Sequence, residues 1–501
     1  MNLSLFEHFR WTKLGEACFL ARSFLFFLSP WQRYLAFLSL MLGIHAWIRF
    51  FLEPTEAALL ALILIHGAVI WFWLYQIRLW QPYHPKCLLA LNPACHLYWY
   101  QLEPITRDAL AAQISELSRD MEAYPEAAQI EPFYTQVVQA DHIDEKIHPL
   151  VSRSKVAVFT FAGGQATRLG KGSKATLVLE NELMGSFSLL SYQARYFKGL
   201  QDRDIKPFWA ILTSPSNHEA IEAHLKEHQF FGLDSSRVDC ICQRDLPLLD
   251  ENGRLWLHQK GYFLQGPSGN GCAFAYLRES GVLSKWQRAG IELVTLNLID
   301  NPLAYPFDYA LIETAYQNPH GYSVAVVEKV DPVEKVGVFA SVRLKGESGW
   351  RARIVEYSDL GFELAQESEL LENEGSKLVY RFASTGVMAL SFENLSRLSL
   401  VDSNEKGWHL AHKYYEVDEG IKVETLKRET FIFDLLAHEE IEEPSLVCYS
   451  RQEFFAPIKS PDDIAKTAQA VLKRDLERLK RCRKTSEAIS FENLWSIFKG
   501  P

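Results

Sequence analysis

Ser154-Lys-Val-Ala-Val-Phe-Thr-Phe-Ala-Gly-Gly-Gln-Ala-Thr-Arg-Leu-Gly170 is the stretch on which the reading of this chain turns. Its apolar, partly β-branched run from Val156 to Phe161 predicts a strand buried on both faces, as in a parallel sheet. The run stops at Gly163-Gly164, where backbone without side chains can approach a ligand closely. Thr167 and Arg168 follow, then Gly170-Lys171-Gly172-Ser173-Lys174, so cations flank a glycine loop. Exposed amides combined with Arg and Lys suit a polyphosphate. The spacing is neither the G-x-G-x-x-G fingerprint nor a Walker A loop. An ordinary strand-to-helix turn is the competing reading.

Downstream the pattern alternates. Strands are predicted at Val156–Phe161, Pro207–Leu212, Val238–Cys242, Leu293–Ile299 and Ser323–Val330, with helices such as Asn217–Glu227 and Gly271–Ser280 between them. This alternation predicts an α/β fold, a mostly parallel sheet covered by helices on both faces. Ligands in such sheets sit beyond the carboxyl ends of the strands, which is where the glycine loop falls. Upstream, Thr106 to Glu122 reads as a helix with Leu110, Ile114 and Leu117 on one face. Asp462 to Lys484 reads as a surface helix of mixed charge.

The chain has 501 residues, 48% apolar and 23% charged, an ordered composition with room for two or three domains. Its net charge of −10 argues against a nucleic-acid partner. The eight cysteines lack zinc-finger spacing and read as reduced and structural.

The first hundred residues differ from the rest. Tyr34 to Leu52 is almost wholly apolar, and Ala57 to Tyr75 is a second apolar run without formal charge, separated by the acidic turn Glu53-Pro54-Thr55-Glu56. Each is near the roughly 20 residues that span a bilayer as a helix. Aromatic residues crowd the ends, and Lys13, Arg22, Arg33, Arg78 and Lys86 lie outside the pair. The arrangement predicts a membrane hairpin over residues 34–75 with both termini, and the catalytic region, on the cytoplasmic side of the cytoplasmic membrane. A buried helical hairpin is the alternative. Three regions result: a hairpin region over residues 1–100, a catalytic domain over 101–435 and a small C-terminal region over 436–501.

Four further constellations could carry chemistry. Gly266-Pro-Ser-Gly-Asn-Gly271 precedes a helix, as either a turn or a ligand loop. Leu296-Asn-Leu-Ile-Asp300-Asn301 is a strand ending in Asp-Asn; a carboxylate there suits Mg²⁺ at phosphates, although Asp-Asn-Pro also makes turns. Val326-Val-Glu-Lys-Val-Asp-Pro-Val-Glu-Lys-Val-Gly337 and Ile354-Val-Glu356-Tyr-Ser358 place two glutamates near a glycine. Trp408-His409-Leu-Ala-His412-Lys413, Phe431-Ile-Phe433-Asp434 and Glu453-Phe-Phe-Ala-Pro-Ile-Lys459 close the series. Taken alone, Phe-x-Phe reads as the core face of a strand.

In this order these segments resemble the UDP-sugar pyrophosphorylases, particularly the UDP-N-acetylhexosamine group. The counterparts there are A-G-G-Q-G-T-R-L-G, P-D-G-N-G, V-D-N, V-V-E-K with P-x-E-x-V-G-V, V-V-E-Y-S-E, H-x-A-x-K, F-x-F-D and E-F-S-P-L-K. The likeness covers about Thr106 to Asp463. It implies a Rossmann-like, glycosyltransferase-A-like fold and a uridylyltransferase that makes a UDP-sugar and pyrophosphate from UTP and a sugar 1-phosphate. N-acetylglucosamine or glucose 1-phosphate is the favoured sugar, and Mg²⁺ the implied cofactor. By match, Gly163, Gly164, Gln243, Gly269 and Asn270 meet the nucleotide, with Gln243 reading uracil. Arg168, Lys174 and Lys459 stabilise charge on the phosphates, and Asp300 holds the metal. Gly337, Glu356, Phe431 and Phe433 meet the sugar. Three departures stand out: Ala166 replaces a glycine, the loop proline before Lys174 is absent, and the family's F-N-x-G-N becomes Phe382-Ala-Ser-Thr-Gly386 without either asparagine. A membrane-tethered sugar-nucleotide binder with weak or lost catalysis is the alternative that these departures motivate.

Overall fold

The computed structural model describes residues 47, 90–96, 99, 102, 104–117, 123–140, 146–164, 173–371, 375–403, 407–418 and 421–484. Apart from Trp47, the predicted membrane hairpin lies outside the described residues. Among the described residues, no helix is long and apolar enough to cross a membrane.

Packing divides the chain into two compact units. The smaller comprises the N-terminal portion to Arg119 with Leu249–Leu264 and Tyr414–Glu424. Its helix α1 (Pro104–Leu117) buries Leu110 and Ile114, two residues of the predicted apolar face. Leu91 bridges to Leu255, and the Asn92 amide donates to the Asp250 carboxylate at 2.7 Å.

The larger unit is built on an eleven-stranded sheet. In chain order its strands are β1 (Ala127–Pro132), β2 (Val137–Ala140), β3 (Val156–Phe161), β4 (Phe208–Thr213), β5 (Val238–Cys242), β6 (Leu293–Leu298), β7 (Tyr322–Glu328), β8 (Val338–Leu344), β9 (Arg351–Val355), β10 (Phe382–Ser391) and β11 (Ser445–Tyr449). The spatial order is β2-β11-β7-β10-β6-β3-β4-β5, with β8 joining β10, β9 and β1. Neighbours are parallel from β6 through β3 and β4 to β5, and from β2 through β11 to β7. Strand β10 runs antiparallel between β6 and β7. The fold is therefore α/β, with a mixed and mostly parallel sheet.

Period-two alternation explains why the sheet is covered twice. In β3, Val156 and Val158 enter one hydrophobic cluster while Ala157, Phe159 and Phe161 enter another. In β4, Trp209 and Ile211 face the first cluster and Phe208, Ala210 and Leu212 the second. The helices α2 (Leu189–Gln201) and α6 (Tyr309–Gln317) supply the first cluster. The second is supplied by α4 (Ala273–Glu279), α5 (Val282–Ala289) and α7 (Ile432–Leu436). Each large apolar side chain buried in this way contributes about 1.5–3 kcal/mol.

The predicted strands at Val156–Phe161 and Val238–Cys242 are found at those bounds, and the other three within two residues. Helix α3 (His218–Glu227) begins after Asn217, as the sequence indicates. The C-terminal helix α8 (Pro461–Lys484) differs from its expected surface position, since Val471, Arg474 and Asp475 are buried. Arg474 is bonded to Asp475 at 3.2 Å, to the Tyr192 and Tyr196 hydroxyls and to the Leu303 carbonyl, so its charge is fully compensated. Phe431 and Phe433 do not lie on a strand: Phe431 is the N-cap of α7, and Phe433 lies in its first turn. The described cysteines, Cys95, Cys240, Cys242, Cys272 and Cys448, are free thiols, as expected. Burial, reinforced by Glu222 and Asp239, pushes the Cys240 thiol up to about 12, so it stays protonated.

Candidate active site

From β3 the chain moves outward to β4 and β5, then returns to lay β6 against the opposite side of β3. The winding direction therefore reverses between β3 and β6, and the crevice at their carboxyl ends is the natural place for a ligand. Both strand ends there carry predicted residues: Gly163 and Gly164 follow β3, and Asp300 follows β6.

Gly163 is packed against Gln243. A Cβ at position 163 would lie 3.0 Å from Gln243 Nε2, so even alanine would press on that amide. Gln243 is 5% exposed, and its backbone N–H donates to the Thr213 carbonyl at 2.9 Å. A buried primary amide offers donors and an acceptor side by side. Among the described residues, nothing lies within 4 Å of a Cβ placed at Gly164. The loop beyond it, with Arg168, lies outside the described residues.

Lys174 opens a short 3₁₀ turn capped by Ser173. Its ammonium donates to Asp300 Oδ2 at 2.7 Å, joining the β3 loop to the end of β6. Both side chains keep about a fifth of their surface, at 19% each, so the pair is reachable from solvent. Asn217 fixes this geometry: its amide donates to the Ala162 carbonyl at 2.9 Å and to Ser173 Oγ at 3.3 Å, and its Oδ1 accepts from the Ser214 N–H.

Lys459 arrives from far along the chain. Asn301 holds its segment, donating to the Phe454 carbonyl at 3.0 Å and accepting from the Ala456 N–H at 3.1 Å. The Ile458 N–H then donates to the Asp300 carbonyl at 2.9 Å. The Lys459 ammonium bonds the Lys335 carbonyl at 3.3 Å and attracts the carboxylate of Glu356.

Gly337 lies over Glu356. A Cβ at 337 would meet Ile354 Cγ2 at 2.6 Å and Glu356 Oε1 at 3.3 Å, which leaves no room for a side chain. The Gly337 carbonyl accepts from the Ser384 N–H at 3.0 Å, tying this pair to β10. Glu356 retains exposed surface, yet the crowding of its carboxyl raises its pKa, with Lys459 and His409 opposing that rise.

His409 lies between Tyr124, stacked at 4.2 Å, and Phe431 at 4.8 Å, with its Nε2 2.8 Å from Asp434 Oδ2. Phe431 continues into the glycine segment, where the Ile432 N–H donates to Asn270 Oδ1 at 3.0 Å. Gly269, at φ +80°, bridges Thr430 so closely that a Cβ would lie 2.2 Å from the Thr430 carbonyl oxygen. The Ser268 hydroxyl donates to the Arg244 carbonyl at 3.1 Å, which links this loop back to Gln243. Phe433 packs against the second hydrophobic cluster.

The structure thus gathers Gly163 with Gln243, Lys174 with Asp300, Gly337 and Lys459 with Glu356, and Gly269 and Asn270 with Phe431. Sequence reasoning assigned no role to Asn217, Asn301 or Tyr124. Asn217 and Asn301 look locally like a helix cap and a turn residue; only their long-range partners reveal clamps.

A crevice of glycine backbone, a buried amide and a lysine paired with a strand-end carboxylate suits transfer of a nucleotidyl group between phosphates. The family model described as UTP–glucose-1-phosphate uridylyltransferase matches residues 109–484. The chain belongs to this family. It is a UTP:sugar-1-phosphate uridylyltransferase, a UDP-sugar pyrophosphorylase. Over 336 residues it is 32% identical to a Schizosaccharomyces pombe protein named "Probable UDP-N-acetylglucosamine pyrophosphorylase", covering 62% of this chain and 69% of that one. It is 26% identical to "UDP-N-acetylglucosamine diphosphorylase 2" of Arabidopsis thaliana, covering 72% and 76%. The Trypanosoma brucei UDP-N-acetylglucosamine pyrophosphorylase structure, solved with an inhibitor, superposes with a TM-score of 0.63 at 21% identity, over 82% of this chain and 88% of that one, a likeness of fold.

Proposed function

We propose that this uridylyltransferase acts on N-acetylglucosamine 1-phosphate, with the residues gathered at the β3–β6 crevice as its machinery. One observation carries the assignment of the machinery: Lys174 and Asp300 pair at the switch point, and the segment of Lys459 is hydrogen-bonded to the same residue. The names of the similar proteins support the choice of sugar. Gly163, Gly164, Gly269 and Asn270 admit the nucleotide, and Gln243 matches the imide edge of uracil with a donor and an acceptor. Asn270 meets the nucleotide through its amide nitrogen, because its oxygen accepts from the Ile432 N–H.

A sugar-phosphate oxygen attacks the α-phosphorus of UTP; that P–O bond forms as the bond to pyrophosphate breaks. No proton need move, so the chain acts by holding the partners in line and neutralising charge. Arg168, Lys174 and Lys459 meet the phosphate oxygens. Glu356 accepts hydrogen bonds from sugar hydroxyls, Phe431 forms the apolar wall and Phe433 backs it from the core. Asp300 fits Mg²⁺, a hard ion that takes one or two carboxylates together with substrate phosphates. Only one oxygen of Asp300 is engaged by Lys174, and the bound ion would supply further neutralisation of phosphate charge.

A second reading, glucose 1-phosphate, is favoured by β10. Ala383 is fully buried, and the space beside Gly386, at φ +74°, is filled by Leu298, which a Cβ would approach to 2.5 Å. Neither position offers the amide that the family's asparagines carry. Pyrophosphate release from UTP and Mg²⁺ with glucose, galactose, N-acetylglucosamine and N-acetylgalactosamine 1-phosphates separates the two. Preference for N-acetylglucosamine sustains the proposal, and preference for glucose replaces it. Binding without release from any of the four would establish the non-catalytic alternative.

The apolar runs within residues 34–75 are further proposed to anchor the enzyme in the cytoplasmic membrane with its catalytic region in the cytoplasm. Support comes from their length, their charge flanks and the family match, which begins only at residue 109.

A further inference from the structure

Helix α3, whose N-cap Asn217 clamps the crevice loop, carries His224-Leu-Lys-Glu227 at its other end, followed by the capping His228. We propose that His224, Glu227 and His228 form a binding site for a transition-metal dication of the zinc type. One ligand atom from each of the three lies within 4.8 Å of the others. Residues four apart on a helix share a face, so the two imidazoles converge by construction and Glu227 adds an oxygen beside them. Two imidazoles and a carboxylate are a borderline-soft set that suits zinc and its neighbours and leaves a fourth, tetrahedral position for water. Tetrahedral bonds of zinc length separate ligand atoms by about 3.3 Å, so small side-chain rotations close the site.

The surroundings orient the rings as ligating histidines require. His228 Nδ1 lies 2.9 Å from the His224 carbonyl, which can only accept, so Nδ1 carries the proton and Nε2 keeps its lone pair. His224 Nε2 lies 2.9 Å from the Ser188 hydroxyl, a partner that accepts either ring tautomer. The Phe231 ring packs 5.7 Å and 5.3 Å from the two imidazoles, shielding one side.

A role follows from the next residues. Gln229, Phe230 and Phe231 all adopt left-handed conformations, at φ +49°, +52° and +55°. Each costs roughly 1–2 kcal/mol for a residue with a Cβ. A metal bridging His224 and His228 would hold the end of α3 and stabilise the start of this turn.

The test is calorimetric titration of the full chain with zinc alone, in excess Mg²⁺ so that ordinary carboxylate sites are filled. One zinc per chain with micromolar affinity is expected, together with a rise in melting temperature. His228→Ala, a change at an exposed side chain, should weaken binding at least tenfold; His224→Gln should do the same, and both should melt like the metal-free parent. Cobalt should give a four- or five-coordinate d–d spectrum without sulfur charge transfer. Unchanged zinc affinity in either variant, a sulfur charge-transfer band, or no saturable binding would overturn the site.

Discussion

Lys174 is held by Asp300 at 2.7 Å, which fixes the position of its charge at the crevice. The pair is partly exposed, and breaking it should cost the fold little, since exposed ion pairs contribute about 0–1 kcal/mol. Its contribution to turnover should be far larger. Lys174→Ala is expected to lower kcat about 10²–10³-fold, the scale of losing one donor to developing charge. Pyrophosphate release alongside a melting curve checks both, and wild-type turnover would remove the role. Glu356 behaves oppositely. Its pKa is raised on folding, so the folded state holds the proton more tightly than the unfolded chain does. The ionised group therefore subtracts stability at neutral pH, and the penalty fades as pH falls through the raised value. Glu356→Gln is expected to melt higher at pH 7 than the parent, with the difference shrinking in acid, while KM for the sugar phosphate rises. A lower melting point at neutral pH would refute this.

Among elements, the segment at Glu453–Lys459 depends on one side chain. Asn301 supplies both a donor and an acceptor to it while itself 2% exposed. Asn301→Ala should cost about 1–3 kcal/mol, because buried backbone groups lose their partners. It should also raise KM for the sugar phosphate more than KM for UTP, since Lys459 is displaced while the Gly163–Gln243 contact stays. Equal effects on both substrates would argue for general loosening instead. This is also the level at which the sequence was partly legible. The strands Val156–Phe161 and Val238–Cys242 could be read because apolar and β-branched runs bounded by turns leave few alternatives. Phe431-Ile-Phe433 misled because period two also occurs by chance in the first turn of a helix. Arg474 and Asp475 hid a buried face of α8, because a charged pair reads as surface until Tyr192 and Tyr196 are brought to it. The likeness to a known family nominated the candidate site residues; their mutual contacts, such as Gly337 over Glu356, depend on pairings that no local pattern encodes.

On the scale of the whole molecule, the family match and the N-terminal hundred residues are separable in sequence. Removing residues 1–80, which spares the buried Leu91, Cys95 and Trp99, is expected to leave uridylyltransferase activity per molecule within about twofold, while the protein moves from the membrane pellet to the supernatant after cell lysis; measuring both fractions checks this. A full-length protein already found in the supernatant would eliminate the anchor. The sheet carries another consequence. Strand β2 lies at an edge and its partner is β11, while β10, which separates β6 from β7, is made only after both. During translation the ribosome therefore releases β6 and β7 before the strand that joins them exists, and β2 waits longer still. A nascent chain stopped before Ser445 presents open sheet edges, the templates on which polypeptides aggregate. Chaperone demand during synthesis is thus written into the strand order, and prematurely terminated products of this gene should be found in inclusion bodies.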